Sequence, residues 1–76
     1  MEKLIELLED IKMDVDFRTT KGLIDNEILD SFDILSIVGE LEEAFGVEVT
    51  PVDIIPANFN SAEALWNMVQ RLQNEG

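Results

Sequence analysis

A serine hydroxyl at a predicted helix start is the strongest chemical candidate in this chain of 76 residues, which has no Cys and no His. Ser31 follows Asp30 where an acidic loop gives way to an apolar run with helical periodicity. A catalytic serine needs a general base, usually His, and no Gly-x-Ser-x-Gly sequence surrounds Ser31. Ser31 is therefore expected to be modified by another enzyme, and the chain is not expected to be an enzyme itself.

Two interpretations of Asp30-Ser31 are open from the residues alone. Asp and Ser are both favoured N-caps, so the pair can act only as a helix cap. Alternatively, the free amides and the positive dipole end of a helix N-terminus favour a phosphate ester on Ser31. Asp30 opposes that ester by charge repulsion, so we expect it to cap the helix or to contact the modifying enzyme or its metal.

The charge balance limits the partners. The chain has 5 basic and 17 acidic residues, which gives a formal net charge of -12. Nucleic acids and anionic membranes are contacted largely through Lys and Arg, so neither is expected to bind. Basic protein surfaces are favoured, although acidity can also serve solubility alone. Without a signal peptide or a membrane-length apolar run, we expect a cytoplasmic monomer with one domain over residues 1–76.

No metal site is predicted. Without cysteine there is no disulfide or thiolate metal site. Asp14-Val15-Asp16 begins like a calcium-binding loop, but Arg18 and Thr19 follow where an oxygen ligand and Gly are needed.

Hydrophobic periodicity predicts three main helices, from about Glu2 to Lys12, from Ser31 to Phe45, and from Ser61 to about Gln73. Gly46 is a natural stop for the second, and Asn60 with Glu63 suggests a capping box for the third. The inward residues are predicted to be Ile34, Val38, Leu41 and Phe45 in the second helix, and Ala62, Leu65, Val69 and Leu72 in the third.

The connections complete a small all-α fold. The loop from Met13 to Asp30 is too long for an ordinary helix-helix turn, and apolar residues are expected to order it: Phe17, Leu23, Ile24, Ile28 and Leu29. Pro51 is predicted to open a short helical turn through Ile55, and Pro56 to limit its length. Further core residues are predicted to be Phe45, Val47, Ile54, Ile55 and Phe59. The expected fold is a small four-helix bundle with three main helices, one short helix and a long first loop.

The sequence from Leu29 to Val49 resembles the acyl carrier protein family. Its features are Asp30-Ser31, the apolar helix that follows, and the run Leu41-Glu42-Glu43-Ala44-Phe45-Gly46. The entry into the last helix, Phe59-Asn60-Ser61-Ala62-Glu63-Ala64-Leu65, is also similar, so the resemblance covers nearly the whole chain. It implies a right-handed four-helix bundle.

The resemblance also implies a function. In such proteins the motif serine, here Ser31, receives 4'-phosphopantetheine from coenzyme A through a magnesium-dependent phosphopantetheinyl transferase. The terminal thiol of this arm then carries acyl or aminoacyl groups as thioesters, which would explain a chain without Cys. The expected function is a standalone carrier. The alternative is an acidic helical interaction module in which Asp30-Ser31 is only a cap.

The resemblance further implies partners with basic patches: the phosphopantetheinyl transferase, an acyl- or aminoacyl-loading ligase, and downstream transferases or synthases. Candidate contact residues are Asp30, Phe32, Asp33, Leu35, Glu42 and Glu43. The chain departs from fatty-acid-type carriers at four positions, namely Ile28, Phe32, Ser36 and Gly39. These departures leave room for peptide, polyketide or D-alanyl transfer as well as fatty acid synthesis.

Overall fold

The computed structural model describes residues 2–75, with side chains through residue 74. Its elements are α1 (Glu2–Ile11), α2 (Ser31–Phe45), a 3-10 turn (Pro51–Asp53), α3 (Pro56–Phe59) and α4 (Ala62–Glu75). No strand occurs within residues 2–75, and the predicted all-α fold with three main helices and one short helix is confirmed. Met1 and Gly76, the ends of the predicted domain, lie outside the described residues.

The first helix packs antiparallel to the second, and a lysine marks each end of the contact. Lys3 donates to the Ala44 carbonyl at 3.2 Å, and its Nζ lies 5.5 Å from the centre of the Phe45 ring. Lys12 follows the last residue of α1 and donates to Asp33 at the start of α2. The start of α2 is thereby held against the end of α1.

Local signals set both ends of α2. Asp30 caps its start, and Gly46 ends it with φ 64, a left-handed conformation in which Gly is tolerated without strain. The predicted bounds are confirmed, but the predicted inner stripe is partly wrong. Both α1 and α4 contact α2, and its fully buried residues are Ile37 and Leu41. The other members of the predicted stripe are half-buried: Ile34, Val38 and Phe45.

The long first loop is ordered by apolar anchors and by one amide side chain. Its buried residues are Phe17, Leu23 and Leu29, and its half-buried ones are Ile24 and Ile28, as predicted. The Asn60 Oδ1 atom accepts hydrogen bonds from the amides of Ile24 and Asp25 at 2.9 and 3.2 Å. Asn60 therefore ties the loop to the junction between α3 and α4.

This use of Asn60 overturns the predicted capping box of the last helix. The Ser61 hydroxyl accepts the Ala64 amide at 3.0 Å and so caps α4, while Glu63 is exposed. Asn60 is not available as a cap because its side chain is bonded to the first loop. The helix also continues past the predicted Gln73.

The segment after Val49 differs from its prediction. The 3-10 turn ends at Asp53, and α3 begins at Pro56. Proline is tolerated in the first turn of a helix, so Pro56 begins a new helix here and does not only limit the preceding one. Ile54 and Ile55 lie between the two elements and are exposed, so their predicted place in the core is wrong. Val47 and Phe59 are buried as predicted.

The core lies between α1, α2 and α4 and includes Leu4, Leu8, Ile37, Leu41, Leu65 and Val69. At the end of α2, the Phe45 and Trp66 rings meet edge to face with centroids 5.8 Å apart. Trp66 is half-buried and Met68 is buried, so both side chains pack in the fold.

Candidate functional site

The hydroxyl of Ser31 is presented at the first residue of α2. Ser31 is exposed, and within residues 2–74 no protein group hydrogen-bonds its hydroxyl. An exposed hydroxyl without a structural bond is accessible to an external reactant.

The helix cap is supplied by Asp30, which leaves Ser31 free. The Asp30 Oδ1 atom accepts the Asp33 amide at 2.9 Å, and the Asp33 Oδ2 atom accepts the Asp30 amide at 3.1 Å. This reciprocal pair is a capping box. The fold therefore does not require the Ser31 hydroxyl as a cap.

Lys12 completes the arrangement at this helix start. Its Nζ donates to the Asp33 Oδ2 atom at 2.9 Å, and the Asp33 side chain is only 16% exposed. The hydrogen bond from Lys12 lowers the pKa of Asp33 against the opposing effect of desolvation. The same bond raises the pKa of Lys12. Both groups are therefore held in their charged forms at neutral pH.

A groove of about 490 Å³ opens beside Ser31. Its lining combines apolar side chains with two carboxylates: Ile24, Glu27, Leu29, Asp30, Ser31 and Ile34. Through Ile24 and Ile34 it adjoins an apolar cavity of about 70 Å³, whose other lining residues are Ile54, Ile55, Pro56 and Phe59. A flexible group attached to the Ser31 hydroxyl would have an open groove beside it.

Two large apolar side chains stand exposed beside the serine. Phe32 is 82% exposed and Leu35 is 65% exposed. They lie three positions apart and so share one face of α2. Gly39 is one turn further along, where an added Cβ would meet no atom within 4 Å apart from its neighbours in the helix backbone. This face is not covered by any part of the chain that the structure describes.

The acidic residues predicted to contact partners differ in how many hydrogen bonds they make within the protein. Asp30 and Asp33 are bonded to each other, and Asp33 also binds Lys12. Glu42 accepts the Val49 amide at 3.0 Å through its carboxylate. Glu43 is exposed and has no hydrogen bond or ion pair within residues 2–74.

The structure also shows site residues that sequence reasoning missed. Lys12 lies 21 positions before Asp33, and no local pattern links the two. Glu27 lines the groove with φ 58, a left-handed conformation that is uncommon outside Gly. Val52 is exposed on the 3-10 turn. The preceding Pro51 predicted the turn, but nothing in the sequence indicated that Val52 would be exposed.

A comparison with protein families gives a match that includes Ser31 and the residues of the groove. A family model described as a phosphopantetheine attachment site matches residues 2–69. The chain therefore belongs to the phosphopantetheine-attachment family, whose members carry 4'-phosphopantetheine covalently and are carriers, not catalysts. Comparisons with curated proteins and with solved structures gave no significant match.

The described residues fit such a prosthetic group. The free hydroxyl of Ser31 at a capped helix start would provide an oxygen for the phosphodiester, and the adjacent groove would provide room for the arm. None of the helices in residues 2–75 is both long enough and apolar enough to cross a membrane. The same residues contain no group of three or more acidic side chains placed to hold a metal ion.

Proposed function

We propose that Ser31 carries the 4'-phosphopantetheine arm and that the protein moves acyl or aminoacyl groups between partner enzymes as thioesters. The observation that carries this assignment is the exposed Ser31 hydroxyl, which stands at a helix start capped by Asp30. When bound, the arm supplies the thiol that forms the thioester. The chain itself has no cysteine to compete with that thiol.

The proposed pathways are fatty acid, polyketide, nonribosomal peptide or D-alanyl transfer. Two departures from fatty-acid-type carriers support the last three. Ile28 replaces a Gly beside the motif, and Gly39 leaves open space where a large contact residue is common. Both changes alter surfaces near Ser31, where a loading enzyme would dock.

The partner surface that we propose combines an apolar and an acidic part. Phe32 and Leu35 are the exposed apolar residues among the predicted contacts, and Glu43 is the acidic one without an internal bond. Asp30 and Glu42 remain predicted contacts whose oxygens a partner would share with internal donors, whereas the predicted contact Asp33 is already bonded to Lys12. A transferase or ligase with an apolar pocket and a basic rim fits this surface.

The alternative function, an interaction module in which Asp30-Ser31 serves only as a cap, has less support. Asp30 provides the cap through its carboxylate, so the cap does not explain the hydroxyl of Ser31.

The assignment is tested by intact mass. The protein is incubated with coenzyme A, magnesium and a broad-specificity phosphopantetheinyl transferase. We expect the wild type to gain one phosphopantetheine and Ser31→Ala to gain none, with an unchanged circular dichroism spectrum because Asp30 still caps α2. Ser36→Ala is the matched control, since Ser36 is an exposed serine on the same helix.

Two outcomes would reject the assignment to Ser31. One is a wild-type chain that gains no mass with several transferases, and the other is a Ser31→Ala variant that still gains the group. Loss of the gain in Ser36→Ala alone would move the attachment point to Ser36.

A further inference from the structure

We infer that Lys12 is a positioning residue for the modification of Ser31 and that it acts through Asp33. Asp33 would then serve inside the molecule, not as a contact for partner enzymes. This inference rests on the proposed function of Ser31 and identifies the residues that set its presentation.

The contacts form a short chain from α1 to the serine. The Lys12 amide donates to the Leu8 carbonyl at 2.9 Å, so its backbone is fixed to the last turn of α1. Its Nζ then reaches the Asp33 Oδ2 atom at 2.9 Å. The same oxygen accepts the amide of Asp30, the residue next to Ser31. The position of Ser31 is thus tied to α1 through one carboxylate oxygen.

Burial favours an internal role for Asp33. Only 16% of its side chain is exposed, whereas the neighbouring Phe32 is a largely exposed residue. A partner cation would have to displace Lys12 and would then reach little of the carboxylate surface. A shielded pair is also screened less by salt than a fully exposed one.

Charge gives Lys12 a second effect on the same reaction. Attachment of the arm would place a phosphate on the residue next to Asp30 and two positions before Asp33, and both carboxylates would repel it. Lys12 is the basic residue whose side chain bonds the first turn of α2, through Asp33. Its positive charge offsets one of the two carboxylates there.

The test is a comparison of steady-state kinetics for the transferase acting on protein variants. Lys12→Met is expected to lower kcat on the order of tenfold while KM for the protein changes little, because a displaced serine reacts poorly even when docked. Lys12→Arg keeps the charge and should restore most of the rate. The matched control is Arg18→Met, which removes one charge and breaks the ion pair with Glu2 at the opposite end of α1.

A second measurement separates positioning from general loss of structure. Lys12→Met should speed hydrogen exchange at the amides of Asp30 and Asp33, with little change at the core amides of α4. In a double-mutant cycle, Asp33→Asn should add little to the effect of Lys12→Met, because both changes remove the same contact.

Each contrary result has a distinct meaning. If Lys12→Met lowers KM and leaves kcat unchanged, Asp33 is a partner contact that Lys12 masks, and the inference is wrong. Equal rates for Lys12→Met and wild type also overturn it, while the proposed function stands because Ser31 is still modified. If the wild type gains no phosphopantetheine, the proposed function fails and this inference fails with it.

Discussion

The start of α2 and the 3-10 turn Pro51–Asp53 share the same hydrogen-bond arrangement, and each presents an apolar side chain to solvent. In each, an aspartate folds back onto the amide three residues before it, Asp33 onto Asp30 and Asp53 onto Thr50. Each carboxylate also binds a base from a distant part of the chain. Asp33 takes Lys12 at 2.9 Å, and Asp53 takes Arg71 at 3.1 Å.

The residue before each aspartate points outwards. Phe32 precedes Asp33 and is 82% exposed, and Val52 precedes Asp53 and is 80% exposed. The two regions differ in the length of the helix, since α2 has 15 residues while the 3-10 turn has three. An anchored aspartate can therefore hold an apolar residue in solvent whether or not a long helix supports it.

The largest expected effect comes from removing the aspartate of the shorter element. Asp53 accepts the Thr50 amide, the Thr50 hydroxyl and the Arg71 guanidinium, and its side chain is only 10% exposed. Asp53→Ala should lower Tm by about 10 °C, since the lost cap adds to the lost buried contacts. Thermal unfolding followed by circular dichroism measures the change.

Asp33→Ala is the matched comparison. It removes the same kind of box from a helix with more packing, so its Tm should fall by about 5 °C. An equal fall in Tm for the two variants would show that the stability contributed by the aspartate does not depend on helix length.

Acid should weaken the effect of both aspartates. Arg71 lowers the pKa of Asp53, and Lys12 lowers the pKa of Asp33. A carboxyl with a lowered folded-state pKa contributes stability above its unfolded pKa of about 3.9, and this is lost as pH falls through the folded value. The Tm difference between wild type and Asp53→Asn should therefore be full at pH 6 and shrink below about pH 4.

The corresponding difference for Asp33→Asn should shrink over the same range. A Tm difference that stays constant down to the acid limit would mean that the charge of the aspartate is irrelevant and only its shape as an acceptor matters.

The smallest expected effect comes from the outward residue of the 3-10 turn. Val52→Ser should change the free energy of unfolding by less than about 0.5 kcal/mol, because an exposed side chain gives up little packing. Urea denaturation measures it, with Val49→Ser as the buried control. A large loss in Val52→Ser would mean that this side chain is packed in solution, and the likeness between Val52 and Phe32 would then fail.

The second helix shows what the sequence could predict. Asp30 and Gly46 act on neighbouring backbone groups, so their effect can be read from the chain itself. The fold class, the helix bounds of α2 and the position of Ser31 at its start could be predicted from such local signals.

The errors arose where a distant residue or an ambiguous one decides the structure. Asn60 resembles a cap, but its side chain accepts hydrogen bonds from the amides of Ile24 and Asp25, which lie 36 and 35 positions away. Pro56 can end one helix or begin the next, and the sequence alone does not distinguish these roles. The contact of Lys12 with Asp33 likewise had no local signal, because 21 positions separate the two residues.

The edge-to-face contact of Phe45 with Trp66 gives the chain an intrinsic fluorescence probe. Trp66 is the single tryptophan, and Phe45 is the last residue of α2, about 20 Å along the helix from Ser31. The fluorescence emission of Trp66 should change when α2 separates from α4 and should remain unchanged when a group is attached to Ser31. Fluorescence of the unlabelled protein thus registers opening of the bundle independently of its cargo.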